Sequence, residues 1–126
     1  MIQELKTGKG WRIGWNPNAH PFQGLVGSDD WSIEMTAAEF TDFCRGARHL
    51  QNTMHAMAEQ LMDQERLSCE QETSTIWLEA EGFPKAYSLR FILLTGRRGE
   101  GEWTATAAAE LLDVLTMPPF NSLTIR

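Results

Sequence analysis

The sequence predicts an α+β fold in which antiparallel strands, one long helix, further strands and one short helix follow one another along 126 residues. Three observations carry that expectation. Apolar residues alternate in short runs at 11–15, 22–27 and 31–35, then recur at steps of three and four over 40–61. Alternation returns at residue 67, and a second helical spacing follows at Ala108, Leu111, Leu112 and Leu115.

The first strand, 11–15, places Trp11, Ile13 and Trp15 on one face and Arg12 and Gly14 on the other, and Asn16-Pro17-Asn18 stops it. Strands at 22–27 and 31–35 are joined at Gly27-Ser28-Asp29-Asp30, a tight-turn composition, so the first third reads as an antiparallel meander. Thr36-Ala37-Ala38-Glu39 is a capping box, in which the Thr hydroxyl and the Glu carboxylate each satisfy a free backbone N–H, and Met35 and Phe40 sit as a hydrophobic staple. The helix this opens runs over 36–63. Its seam is Phe40, Phe43, Ala47, Leu50, Met54, Met57 and Leu61, a heptad pattern, with Arg48, Asn52, His55, Glu59 and Asp63 opposite. Gly46 costs about 1 kcal/mol relative to Ala in a helix interior, and its small size beside Ala47 lets another element approach closely.

Strands are predicted again at 67–72, 76–81 and 87–95, with a short fourth at 102–104; Gly82-Phe83-Pro84 and the run 96–101 supply the turns. Over 87–95, Leu89, Phe91 and Leu93 oppose Ile92 and Leu94, which predicts a strand covered on both faces. The second helix spans 104–115 and ends at Met117-Pro118-Pro119. A faint internal echo links 31–39 with 103–110: each holds a Trp, a Thr and Ala-Ala-Glu, one residue out of step.

The chain has the size of one domain, 1–126, whose diameter at a radius of gyration of about 14 Å is near 36 Å. A helix over 36–63 is about 40 Å long, and its distal third holds Met54, Met57 and Met62. A second copy is expected to cover Leu50, Met54, Met57 and Leu61, giving a homodimer; the alternative is that the seam packs on its own sheet and the helix ends earlier.

A formal charge of −6 and a pI near 5.0 disfavour non-specific duplex nucleic-acid binding, which rests on neutralising phosphates. The charges are unevenly spread. Residues 29–81 carry twelve acidic side chains against Arg45, Arg48 and Arg66, whereas 85–98 carry Lys85, Arg90, Arg97 and Arg98 with no acid, and Lys6, Lys9 and Arg12 face Glu4 alone. The pattern fits a dipolar molecule with one basic surface or charges scattered around strands. No run approaches a membrane span and no leader pattern opens the chain, so the cytoplasm is expected. Cys44 and Cys69 lack the count and spacing of a disulfide or zinc framework and read as free thiols.

No nucleophile elbow, phosphate loop or dinucleotide fingerprint occurs, so neither an enzyme nor a cofactor is expected. His20, His49 and His55 do not form a ligand set and read as surface residues, and no metal is expected. Glu70 and Glu72 share one strand face, as do Glu79 and Glu81. Together they form either a carboxylate cluster able to draw a divalent ion or a solvated face that discourages edge pairing. Trp77 on that face either marks a contact surface or lies under the segment 120–125.

The runs Gly10-Trp11-Arg12-Ile13-Gly14-Trp15, Leu25-Val26-Gly27-Ser28-Asp29-Asp30-Trp31-Ser32-Ile33-Glu34-Met35-Thr36 and Glu39-Phe40-Thr41-Asp42-Phe43-Cys44 resemble a small cyanobacterial family described as a domain of unknown function. The resemblance covers nearly the whole chain. It implies the fold of the single-stranded DNA-binding transcriptional regulators, the Whirly and positive-cofactor group, whose strand-rich units associate as dimers. On that implication Lys9, Arg12, Arg90, Arg97 and Arg98 track the phosphates of a single-stranded nucleic acid while exposed aromatics stack on bases. The alternative is a cytoplasmic protein-interaction or assembly factor that uses the acidic sheet face or the Met-rich helix.

Overall fold

The computed structural model describes residues 3–60 and 65–123. Four strands, β1 (Glu4–Gly8), β2 (Trp11–Trp15), β3 (Gly24–Gly27) and β4 (Ser32–Met35), form one antiparallel meander, and α1 (Ala37–Gln60) follows. A second meander of β5 (Leu67–Glu72), β6 (Ile76–Phe83), β7 (Ala86–Leu93) and β8 (Glu100–Trp103) leads into α2 (Ala105–Leu115) and a 3-10 turn at Phe120–Ser122. The α+β class and the strands-helix-strands-helix order are as the sequence predicts.

β1 is the strand the pattern does not reveal. Its Glu4 and Lys6 stand on the same face as Trp15 and Ile13, so charge occupies positions where alternation would place apolar residues. The two side chains pair at 3.3 Å, and a charged edge strand resists pairing with another chain.

Both caps form. Thr36 Oγ1 accepts from the Glu39 N–H at 3.2 Å while Glu39 Oε1 accepts from the Thr36 N–H at 2.9 Å, and Met35 and Phe40 are both buried beside them. Thr104 accepts from the Ala107 N–H in the same way. The chain thus repeats one plan, a four-stranded meander running into a Thr-capped helix. Aligned on the caps, Met35 corresponds to Trp103. The two tryptophans of the sequence echo are therefore not equivalent: Trp31 precedes β4, whereas Trp103 closes β8.

The inner face of β5–β8 receives both helices, α1 on β5 and β6 and α2 on β7; α2 also meets β1 and β2, and α1 meets β3 and β4. One core runs through both sheets and both helices, with Trp103, Phe40, Phe43, Phe91 and Phe120 among its largest members. The Trp103 indole N–H is satisfied inside it by the Gly27 carbonyl at 2.8 Å. Gly46 is explained by β6. A Cβ at that position would lie 2.5 Å from Leu78 Cδ1, so the glycine admits the sheet to the helix.

The helix seam packs on its own sheet. Phe40, Phe43, Ala47, Leu50 and Met54 are all buried within the chain, and the Cys69 thiol lies 3.7 Å from the Met54 sulfur. Leu50 and Met54 are therefore covered within the chain, as in the reading in which the seam packs on its own sheet, and β5 reaches Met54 through Cys69. Met57 is half-buried, and Leu61 and Asp63 lie outside the described residues.

β7 is likewise covered on one face only. Leu89, Phe91 and Leu93 are fully buried, whereas Ile92 is half-buried and Leu94 is 37% exposed, because both helices lie on the same side of the sheet.

Candidate functional site

The open outer face of β5–β8 collects charge by register. Glu70 stands opposite Glu79, Glu79 opposite Arg90, and Arg90 opposite Glu102, so one row crosses all four strands. The next row is Glu72, Trp77, Ile92 and Glu100. Ser68, Glu81 and Ser88 form a third row. Six carboxylates therefore share this face with the guanidiniums of Arg66 and Arg90.

Those two arginines are engaged. Arg90 Nη2 lies 3.4 Å from Glu79 Oε1, and its guanidinium sits over the Trp77 ring at 4.9 Å. Arg66 donates to Glu81 at 2.7 Å and lies over the Phe83 ring. Trp77 donates its indole N–H to Glu70 at 3.0 Å, and Ser68 donates to Glu79 at 2.9 Å. Glu72, Glu100 and Glu102 are exposed.

Glu70, Glu72, Glu79 and Glu81 thus do share one face, as strand alternation implies. Alternation also marks Glu100 and Glu102, but the register that adds them is not legible locally. Among the described residues no three His, Cys, Asp or Glu side chains converge on a metal position, since the carboxylates run along the sheet instead of toward one point. Among the described residues, the segment from Phe120 to Leu123 packs on the core and not over Trp77. Phe120 is buried on the inner side, with its ring 6.2 Å from that of Phe40.

The residues expected to track phosphates stand on separate elements, and three of them have intramolecular partners. Arg12 Nε donates to the Ser28 carbonyl at 3.0 Å on the first sheet, and Arg90 belongs to the acidic face of the second. Arg97 is a latch at the start of α1: it pairs with the Glu39 carboxylate, donates to the Glu34 carbonyl at 2.8 Å and lies over the Phe22 ring at 4.8 Å. Thr95 completes that site by donating to Glu39 Oε2 at 2.6 Å. Lys9 and Arg98 are exposed, Lys9 at the β1–β2 turn and Arg98 at the β7–β8 turn.

A second latch lies one turn along α1. Asp42 Oδ2 accepts from the hydroxyls of Thr73 at 3.0 Å and Thr75 at 2.7 Å, tying the β5–β6 turn to the helix as Glu39 ties the β7–β8 turn. The first turns of α1 therefore spend their carboxylates on holding hairpins. Burial pushes the Cys44 thiol far up, with the charge of Arg48 opposing only part of the effect, which disfavours the thiolate. His20, His49 and His55 are all exposed, and His55 pairs loosely with Glu59 at 3.9 Å.

No helix among the described residues is long and apolar enough to cross a membrane. A crystal structure of a protein of unknown function from Prochlorococcus sp. NATL2A, described as from the DUF155 family, has a similar fold. It is 24% identical, with a TM-score of 0.84 over 97% of this chain and 98% of that one. At that identity the likeness concerns the fold alone. Among curated proteins none matches the chain significantly. The family model described as domain of unknown function (DUF1818) matches residues 6–117, nearly the whole of the two-meander fold, and the chain belongs to that family.

Proposed function

We propose that the chain is a non-enzymatic interaction module that offers the outer face of β5–β8 to a basic protein partner. One observation carries this reading: register distributes six carboxylates over an uncovered sheet face that also presents Trp77 and Ile92. Acidic residues set around an aromatic anchor suit a partner surface rich in Lys and Arg, with the charges steering encounter and the apolar pair supplying contact area. The cation–π contact of Arg90 on Trp77 is the kind of interaction a partner arginine would extend.

The single-stranded nucleic-acid reading draws on the Whirly-like resemblance and receives little support from the charges. Its arginines Arg12, Arg90 and Arg97 are committed to intramolecular partners, and the broad sheet face would repel phosphates. Self-association through the α1 seam is similarly weakened, because Leu50 and Met54 are already covered.

The test compares the wild type with a variant in which Glu70, Glu72, Glu100 and Glu102 are all replaced by Lys. Immobilised in turn and exposed to extract of the host cells, the wild type should retain a basic protein that elutes with salt, and the variant should not. Equal retention by both would remove the sheet face from the interaction. Fluorescence polarisation with a labelled single-stranded oligonucleotide should show no saturable binding at low salt; saturable, salt-sensitive binding would put nucleic acid in place of the protein partner.

A further inference from the structure

We infer that the exposed side of α1 carries an oxyanion-binding cleft for a small, multiply charged phosphate or carboxylate ligand, built on Arg45, Arg48 and His49. The cleft has a volume of about 520 Å³ and is lined by these three residues with Gln51, Asn52, Thr116 and Asn121. It is an open, largely polar depression on the surface. In a chain of net charge −6, no carboxylate lines it among the described residues.

Helix periodicity produces the cluster. Arg45, Arg48, His49 and Asn52 stand at i, i+3, i+4 and i+7 of α1, one stripe on the side away from the core. Like charges at these spacings oppose one another, and they are not placed to complement the helix C-terminus, because the last turn of α1 has no basic residue. The one acidic residue within a helical turn, Asp42, directs Oδ2 to Thr73 and Thr75 and makes no ion pair with Arg45, although its side chain lines the neighbouring cleft that Arg45 and His49 also border.

Arg48 is preorganised. Its Nε donates to the Cys44 carbonyl and its Nη1 to the Asn121 carbonyl, each at 3.3 Å, which orients the guanidinium between α1 and the C-terminal 3-10 turn and leaves Nη2 for a ligand. Asn52 and Gln51 add neutral donors at the rim. A guanidinium held in place, a second one exposed beside it and an imidazole one turn away match the geometry by which oxyanions are bound through charge-assisted hydrogen bonds.

Amide-resolved NMR titration of the intact protein tests the inference, with pyrophosphate, inorganic phosphate and citrate as probes and chloride as the ionic-strength control. Saturable shifts are expected at the amides of 45–52, 116 and 121, stronger with pyrophosphate than with phosphate. Arg45→Gln combined with His49→Gln removes two exposed side chains and leaves the core untouched; it should weaken binding about tenfold or more. Citrate acting at the same amides more tightly than pyrophosphate would assign a carboxylate ligand to the cleft, and the reverse order a phosphate. Shifts no larger than those with chloride, or equal affinity in the double variant, would overturn the site. So would a single-stranded oligonucleotide that shifts the same amides at lower concentration than either small anion.

Discussion

Glu39 is the residue with most depending on it. It is only 2% exposed, yet its carboxylate answers a backbone N–H of the cap, the Thr95 hydroxyl and the Arg97 guanidinium. Removing Arg97 leaves a buried carboxylate without its counter-charge, the situation in which breaking a pair costs far more than the pair contributes. Because Arg97 is itself 39% exposed, water replaces part of what is lost, and Arg97→Ala should destabilise by about 1–3 kcal/mol. The urea midpoint would read this. An unchanged midpoint would mean that Arg97 is a free surface cation after all. At the same scale Gly46 shows how a poor helix former earns its position through the Leu78 methyl that lies where its Cβ would be.

At the scale of elements, α1 packs as a core helix along most of its apolar seam. Its buried residues from Phe40 to Met54 meet β5 and β6, and only Met57 remains half-open among the described seam residues. Met54→Ala should therefore cost about 2–5 kcal/mol as an intrachain cavity, and the loss in melting temperature should not vary with protein concentration. A concentration-dependent shift would instead return Met54 to an interface between copies. The hairpins follow a common rule: the β5–β6 and β7–β8 turns are each pinned to the first turns of α1 by a carboxylate and a threonine.

At the scale of the whole molecule, two meanders share one core, and the segment after α2 closes it. Phe120 lies just beyond the residues matched by the family model, yet it is fully buried against Phe40 while Asn121 receives Arg48 from α1. Phe120→Ala should destabilise by about 3–5 kcal/mol, measurable by chemical denaturation. A loss under about 1 kcal/mol would show that the segment is an appendage and not part of the core. Charge is partitioned at this scale too: carboxylates on the outer sheet face, and an Arg–His stripe along α1.

Features that depend on neighbours a few residues apart were legible in the order of residues. The Thr36 capping box, the staple of Met35 and Phe40, the two helical periodicities and most of the strands follow from local hydrogen bonds and from the alternation of apolar side chains. The tertiary structure alone decided which surfaces are open. Strand register set Glu70 against Glu79 and Glu102 against Arg90, and folding of residue 97 onto residues 34 and 39 converted a predicted phosphate contact into a structural latch. β1 escaped because its sheet-facing positions are charged, and the fate of Leu50 and Met54 depended on the second sheet reaching along the helix. These pairings join residues tens of positions apart, and no local pattern encodes which of several compatible partners a face will meet.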